Sequence, residues 1–216
     1  MRPAGRVAAV ALVGWNDACL EGATRNLHLL VLAAGSSSRL GQPKQLVRVH
    51  GRPLVHLVVD RALSVTGHAV TVVLGAHAKD IAPCLRSTSA SIVINREWEQ
   101  GIASSIRAGI ASLGAGCNAV MMVLGDQFAV TTDDLKRLAA AWGGATTIAT
   151  AVYDGTVGVP AIFPEWCFSE LTQLQGDTGA KAVLQRYRDR LLHVQMPNAA
   201  IDLDTREDLR LLSSEP

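Results

Sequence analysis

Few cysteines, an almost balanced charge and the lack of any long apolar run narrow what this chain can be. Its four cysteines, Cys19, Cys84, Cys117 and Cys167, lie far apart. No C-x-x-C pair occurs and no histidine stands at finger spacing, which excludes a zinc finger and a dense disulfide framework and points to a reduced, cytoplasmic setting. With 20 basic and 19 acidic side chains the formal charge is +1. There is then no overall field to draw in nucleic acid or an anionic membrane, so any anion must be captured locally. No stretch approaches the roughly 20 apolar residues of a membrane span. Arg2 and Arg6 ahead of Val7–Val13 imitate a secretory signal. The run is short, however, no small-x-small cleavage site follows it, and Asn16, Asp17, Glu21 and Arg25 come next, so residues 1–26 read as an N-terminal extension: an extra strand, a loose arm or an overextended start.

At 216 residues, 49% hydrophobic and 18% charged, the chain has the length and composition of one folded domain. From Leu27 onward, short apolar runs alternate with stretches of helical period, which predicts a three-layer α/β domain of Rossmann-like type with a mostly parallel central sheet. Strands are expected at 27–33, 69–74, 91–94, 119–124 and 146–152. "AVTVVL" and "AVMMVL" are apolar throughout, as central strands covered on both faces must be. Helices are expected at 53–66, led by Pro53, at 102–113 and at 131–142, capped by Thr131 or Thr132. A Gly-containing turn, "YDGTVG", leads into "VPAIFP", then helices near 165–174 and 178–188, a last strand and a terminal helix from about Thr205. No internal repeat or low-complexity segment occurs.

The chemistry concentrates in "LAAGSSSRLGQPKQL", Leu32–Leu46, directly behind the first strand. Ligands of open parallel sheets bind beyond the carboxyl ends of strands. Gly35 lets the backbone turn with its amides exposed. Ser36, Ser37 and Ser38 add hydroxyls, and successive N–H groups form a nest for an anion, with phosphate the natural occupant. The loop is neither a Walker motif, because Gly41 comes one place late and Lys44 stands alone, nor a dinucleotide fingerprint, because Ser37 holds the second glycine position. Arg39 and Lys44 are spaced to bring two cations onto a wrapped triphosphate.

These residues resemble the L-A-A-G-x-S-x-R-x-G-x-x-K-x-L signature of the MobA-like nucleotidyltransferases, and among them the molybdenum cofactor cytidylyltransferases. Further matches follow in order: "GRPLVH" at 51–56, "NREWEQGIASSIRAGI" at 95–110, "LGDQ" at 124–127, "LQGDTGAKAVL" at 174–184 and "DLDTREDL" at 202–209. The resemblance spans residues 27–212, which it marks as one NTP transferase domain.

What the resemblance implies is transfer of CMP from CTP to a molybdopterin-type acceptor with release of pyrophosphate, dependent on Mg2+. Lys44 and Arg39 are the implied catalytic cations. Leu32, Ala33 and Ala34 would face the base, "LAAG" rather than "LAGG" favouring cytidylyl transfer, and Gly35, Ser36, Ser37 and Ser38 the phosphates. Gly101, Ser104 and Ser105 are nucleotide-binding candidates at a helix start, where amide donors favour anions. Asp126, just behind a buried strand, and Asp202 are candidate Mg2+ ligands. Gly176 and Asp177 are candidates for the acceptor pocket. A molybdoenzyme or its maturation factor is an implied partner, with no nucleic acid or membrane.

Each residue also has an ordinary reading: Gly125-Asp126 as a turn, Thr205 with Asp208 as a capping box that Asp204 could replace, the serines as caps, Arg39 and Lys44 as solvated charges. Phe128 stands where the family usually carries proline, making its ring a candidate for the pocket wall. Two rival activities stay open: transfer of guanylyl or another nucleotidyl group to a different phosphorylated small molecule, and an oxidoreductase or cofactor carrier on the same fold.

Overall fold

Leu27–Ala33 (β1), Val70–Leu74 (β4) and Ala119–Leu124 (β6) are buried along almost their whole length, because helices cover both faces of the sheet they form. In the computed structural model, which describes residues 26–38 and 40–203, they lie side by side at the centre. The other strands are Arg48–Val49 (β2) and Arg52–Pro53 (β3), which pair as a small hairpin, then Ser91–Ile94 (β5), Ile148–Tyr153 (β7), Thr156–Pro164 (β8) and Leu191–Gln195 (β9). Among the described residues the main sheet has seven strands in the order β5-β4-β1-β6-β8-β7-β9, of which only β8 runs against the rest.

Among the described residues six α-helices complete the layers: Leu54–Thr66 (α1), Ala78–Ile81 (α2), Ile102–Ala111 (α3), Thr132–Ala141 (α4), Phe168–Thr172 (α5) and Lys181–Arg186 (α6). Val55, Val59 and Ala62 of α1 with Leu135 and Leu138 of α4 bury one face of the sheet. Ile106 and Ile110 of α3, Leu171 of α5 and Leu184 of α6 bury the other. Apolar side chains of this size contribute about 1.5–3 kcal/mol each when fully buried.

Several expectations shift in detail. Pro53 precedes α1 as its cap, so the helix opens at Leu54. The expected helix at 165–174 begins as a 3-10 turn, Glu165–Cys167, and the one at 178–188 narrows to α6. "VPAIFP" belongs to the longest strand, β8. Asp154 and Gly155 both take positive φ, 47° and 70°, the geometry of a tight two-residue hairpin that sends the chain straight back along β7. The expected terminal helix from Thr205 lies outside the described residues, as does Asp204.

Thr131 caps α4 in a reciprocal box. Its hydroxyl accepts from the Asp134 N–H while the Asp134 carboxylate accepts from the Thr131 N–H. Asp134 is almost fully buried and also accepts from Asn198 Nδ2 at 2.9 Å and from Arg137. Burial alone would raise its pKa, but the Thr131 N–H, the Asn198 amide, the Thr131 hydroxyl and Arg137 together hold it below the ordinary carboxylate value. A carboxylate depressed in the folded state stabilises the fold above its unfolded pKa of about 4, and that contribution is lost as pH falls through the folded value. Thr131→Ala is therefore expected to cost about 1 kcal/mol at neutral pH. Asp134→Asn is expected to flatten the acid limb of stability below about pH 4. Urea unfolding at neutral and acid pH checks both.

Candidate active site

From β1 the chain moves outward through β4 and β5, then returns to place β6 on the other side of β1. The reversal opens a crevice above the carboxyl ends of β1 and β6, the usual binding position in such sheets. A cavity of about 390 Å³ lies there. Leu32–Ser36 form one wall, Lys44 and Gln45 close behind it, and Leu124–Asp126 flank it.

The loop's conformation differs from the simplest reading of its glycine. The left-handed residues are Ser37 at φ 55° and Gly41 at φ 74°, whereas Gly35 has no left-handed φ. A Cβ on Gly35 would meet no atom within 4 Å, so glycine here keeps open space beside the cavity wall. The turn is held by side chains. Ser37 Oγ accepts from the Lys44 N–H at 3.1 Å and donates to Gln45 Oε1 at 3.4 Å. Gln45, 1% exposed, donates through Nε2 to the carbonyls of Ala33 at 3.0 Å and Gly35 at 3.2 Å.

Lys44 and Asp126 form an ion pair across the crevice, their side chains 18% and 13% exposed. Asp126 is brought close by Gly125, whose N–H donates to the Leu32 carbonyl at 2.9 Å. A Cβ on Gly125 would lie 2.8 Å from that of Ala33. Behind them Gln127 accepts from the Leu124 N–H and donates to the carbonyls of Val159 at 2.8 Å and Ala199 at 3.2 Å, fixing the turn to β8 and to the segment after β9. Lys44 contacts Asp126 Oδ2, while Oδ1 is buried without a hydrogen-bond partner among the described residues. A buried unsatisfied carboxylate oxygen is costly. A hard cation beside Oδ1 would relieve it, so the residues present fit a divalent metal. Among the described residues no cluster of three or more His, Cys, Asp or Glu side chains surrounds that point. Hard divalent cations can be held by one or two carboxylates, with phosphate oxygens and water completing the shell.

The opposite wall comes from the start of α3 and from the loop around Gly176. Asn95, 5% exposed, donates through Nδ2 to Ser104 Oγ at 2.8 Å and Ser105 Oγ at 3.0 Å, tying the end of β5 to α3. Gly101, at φ 91°, lies so close to the later loop that a Cβ would meet Gly176 O at 2.4 Å and Asp177 Oδ1 at 2.5 Å. The Ala103 N–H donates to the same Gly176 carbonyl at 3.1 Å.

Of the residues singled out in the sequence, Leu32, Ala33, Ala34, Gly35, Ser36, Lys44, Gly101, Ser105, Asp126 and Asp177 line this cavity together. Ser37, Ser38, Ser104, Gly176 and Asp202 do not. Ser37 supports the loop from behind, and the Ser104 hydroxyl donates to the Gly101 carbonyl at 2.8 Å. Gly176 backs Asp177, and Asp202 is exposed and near enough to Tyr153 that its charge adds to burial in raising the phenol pKa. Arg39 lies outside the described residues. Phe128 is not on the pocket wall: its ring packs with Leu40, Val49, Leu54 and Leu203 beneath the loop. Sequence reasoning passed over Gln45, Trp98, Glu99, Ile102, Leu124 and Gly125 as lining residues. The available signal was their place inside or beside the quoted motifs, with Gln45 next to Lys44 and Gly125 next to Asp126.

Comparison with known proteins agrees with this geometry. Nicotine blue oxidoreductase of Paenarthrobacter nicotinovorans is 34% identical over 110 residues, covering 50% of this chain and 53% of that protein. A 2-C-methyl-D-erythritol 4-phosphate cytidylyltransferase of Synechococcus sp. (strain CC9902) is 34% identical over 137 residues, covering 59% of each. The matched stretch thus spans little more than half the length of either relative. Among solved structures, Rv0371c of Mycobacterium tuberculosis H37Rv in complex with manganese superposes with a TM-score of 0.72 at 28% identity, covering 88% of this chain and 99% of that one. The family described as the MobA-like NTP transferase domain matches residues 29–191, three-quarters of the chain and every wall of the cavity: this protein belongs to that family.

Proposed function

We propose that this chain transfers CMP from CTP to the terminal phosphate of a molybdopterin-type acceptor and releases pyrophosphate. The observation that carries this reading is the Lys44–Asp126 pair standing over a wall of backbone amides at the switch point of the sheet. A phosphate oxygen of the acceptor, ionised at neutral pH, attacks the α-phosphorus. The new P–O bond forms as the bond to the β-phosphate oxygen breaks, and pyrophosphate leaves with that electron pair. No general base is needed. Lys44 would offset negative charge on the α-phosphate as it is attacked, and the amides of Gly35 and Ser36 would hold the phosphate chain in place. Mg2+, held by Asp126 Oδ1 with Asp202 as a second candidate, would draw charge from the phosphate oxygens. Arg39 is proposed to grip the same triphosphate. Ser105 and Gly101 are assigned to the nucleotide, Asp177 with Gly176 to the acceptor side.

Cytosine is favoured by "LAAG" and by the likeness to a cytidylyltransferase. A molybdoenzyme or its maturation factor would receive the product. No nucleic-acid role is proposed, and among the described residues no helix is long and apolar enough to cross a membrane. Titrating CTP against GTP with and without Mg2+ is expected to give a binding heat for CTP at least tenfold tighter than for GTP, strengthened by the metal. Equal responses would remove cytosine from the proposal.

A second reading, oxidoreductase activity, is favoured by the likeness to nicotine blue oxidoreductase. NADPH-dependent turnover that survives both Lys44→Ala and Asp126→Ala would establish it. Pyrophosphate release abolished by both, in folded protein, supports transfer.

A further inference from the structure

Asp126 keeps Oδ1 buried and without a hydrogen-bond partner among the described residues. A free turn would relieve this by swinging the carboxylate out to water, so the backbone must be held against that motion. Three bonds within the turn shape it. The Gln127 N–H donates to the Leu124 carbonyl at 3.3 Å, the Phe128 N–H to the Asp126 carbonyl at 2.8 Å and the Val130 N–H to the Gln127 carbonyl at 3.3 Å. These bonds fix the curl of the segment, but its outgoing limb needs a hold from outside.

Arg61 of α1 supplies one. Its Nη1 donates to the carbonyl of Phe128 and, at 2.7 Å, to that of Val130. Two carbonyls, two residues apart, thus converge on one nitrogen, and their dipoles repel each other unless a cationic donor stands between them. The guanidinium is partly buried. Burial lowers its pKa while the nearby Asp134 charge raises it, and an arginine so placed stays charged. The helix behind it is anchored by Val55, Val59 and Ala62 in the main core, so the limb is tied to the packed sheet rather than to another loop.

We propose that Arg61 is a positioning residue for the divalent metal: by clamping the limb that follows Asp126, it keeps Oδ1 turned to the crevice and so sets the affinity for the cation. Arg61 does not itself line the cavity. It acts through the backbone, as the groups behind a metal ligand commonly do. The inference rests on the reading of Asp126 as a metal ligand and extends it to what holds that ligand in place.

The experiment is paramagnetic titration of Mn2+ into the nucleotide-free full chain, in the natural sequence and in Asp126→Asn, Arg61→Met and Arg61→Lys. Arg61→Met is expected to weaken Mn2+ binding at least fivefold. Arg61→Lys keeps a cation between the two carbonyls and is expected to lose less than twofold. In pyrophosphate release by Arg61→Met, the Mg2+ concentration for half-maximal rate should rise at least fivefold, and excess Mg2+ should restore kcat to within threefold. A merely structural arginine would lower the urea midpoint and leave both metal constants alone. A folded Arg61→Met with natural Mn2+ affinity therefore overturns the proposal, as does an Arg61→Lys as weak as Arg61→Met. A further measurement needs no variant. With the turn clamped in advance, the Phe128 and Val130 amides of the metal-free natural protein should already exchange slowly with D2O, and Mg2+ with CTP should slow them less than threefold more. A larger slowing would mean that the ligand orders the turn, which also overturns the proposal. If Asp126→Asn loses Mn2+ binding but Arg61→Met does not, this inference fails and the metal site stands. If Asp126→Asn keeps the natural affinity, the metal reading falls and takes this inference with it.

Discussion

Lys44→Ala is expected to lower kcat for pyrophosphate release by about 10²–10³-fold, the usual loss when one preorganised charge facing the transition state is removed. KM for CTP should rise much less, since on the proposed mechanism the amides of Gly35 and Ser36 remain and Lys44 would act most strongly once charge has built up on the α-phosphate. Lys44→Arg is not expected to restore the rate, because a planar guanidinium cannot place a point charge where the ammonium stands. The change has a second consequence. Lys44 is bonded to Asp126 Oδ2, so in the absence of nucleotide the ammonium competes with a cation for the same carboxylate. Removing it should tighten Mn2+ binding to nucleotide-free protein by about tenfold, since two positive charges in one partly desolvated crevice repel strongly. Paramagnetic titration of Mn2+ reads this directly. A kcat within threefold of the natural enzyme, with Mn2+ affinity unchanged, would remove Lys44 from the proposed machinery.

Gly101→Ala is the second large effect. The added methyl carbon would sit 2.4 Å from Gly176 O and 2.5 Å from Asp177 Oδ1, and the residue would have to hold φ near 91°. Overpacking against backbone and a left-handed residue with a side chain each cost about 1–3 kcal/mol. A combined loss of about 2–6 kcal/mol corresponds to roughly 4–24 °C in Tm for a domain of this size. Where the fold survives, the loop of Gly176 and Asp177 must move off α3 and widen the cavity. KM for nucleotide or acceptor should then rise at least tenfold with kcat less affected. Gly114→Ala is the control, because a Cβ there meets nothing within 4 Å. Equal thermal stability of the two variants would mean that the contact between Gly101 and the later loop is not as tight as described.

Much of this was legible in the sequence, and the reason is local. The apolar runs of β1, β4 and β6 carry no polar alternation, so their place in the middle of a covered sheet follows from composition alone. The glycine-serine loop and Asp126 each stand directly behind one of those runs, and parallel strands bring such positions to one edge. The features that escaped detection are the ones that depend on distant partners. Nothing near Gly101 in the chain tells that Gly176 will press on it. Gln45 reads as an ordinary surface amide until the loop folds over it. The same holds for Phe128, whose ring is drawn under the loop by Leu40, Val49, Leu54 and Leu203 rather than toward the ligand. The positive φ sits on Ser37 instead of Gly35 because side-chain bonds from Ser37 to Lys44 and Gln45 hold that conformation.

Lys44 and Asp126 are 82 residues apart in the chain, and β6, which lies beside β1, follows β4 and β5 in sequence although they lie on the other flank. During synthesis on the ribosome, the loop and its lysine therefore emerge well before the carboxylate that faces them, and the far wall at Asp177 comes later still. A nascent chain can hold no nucleotide in this crevice until most of its length has been released.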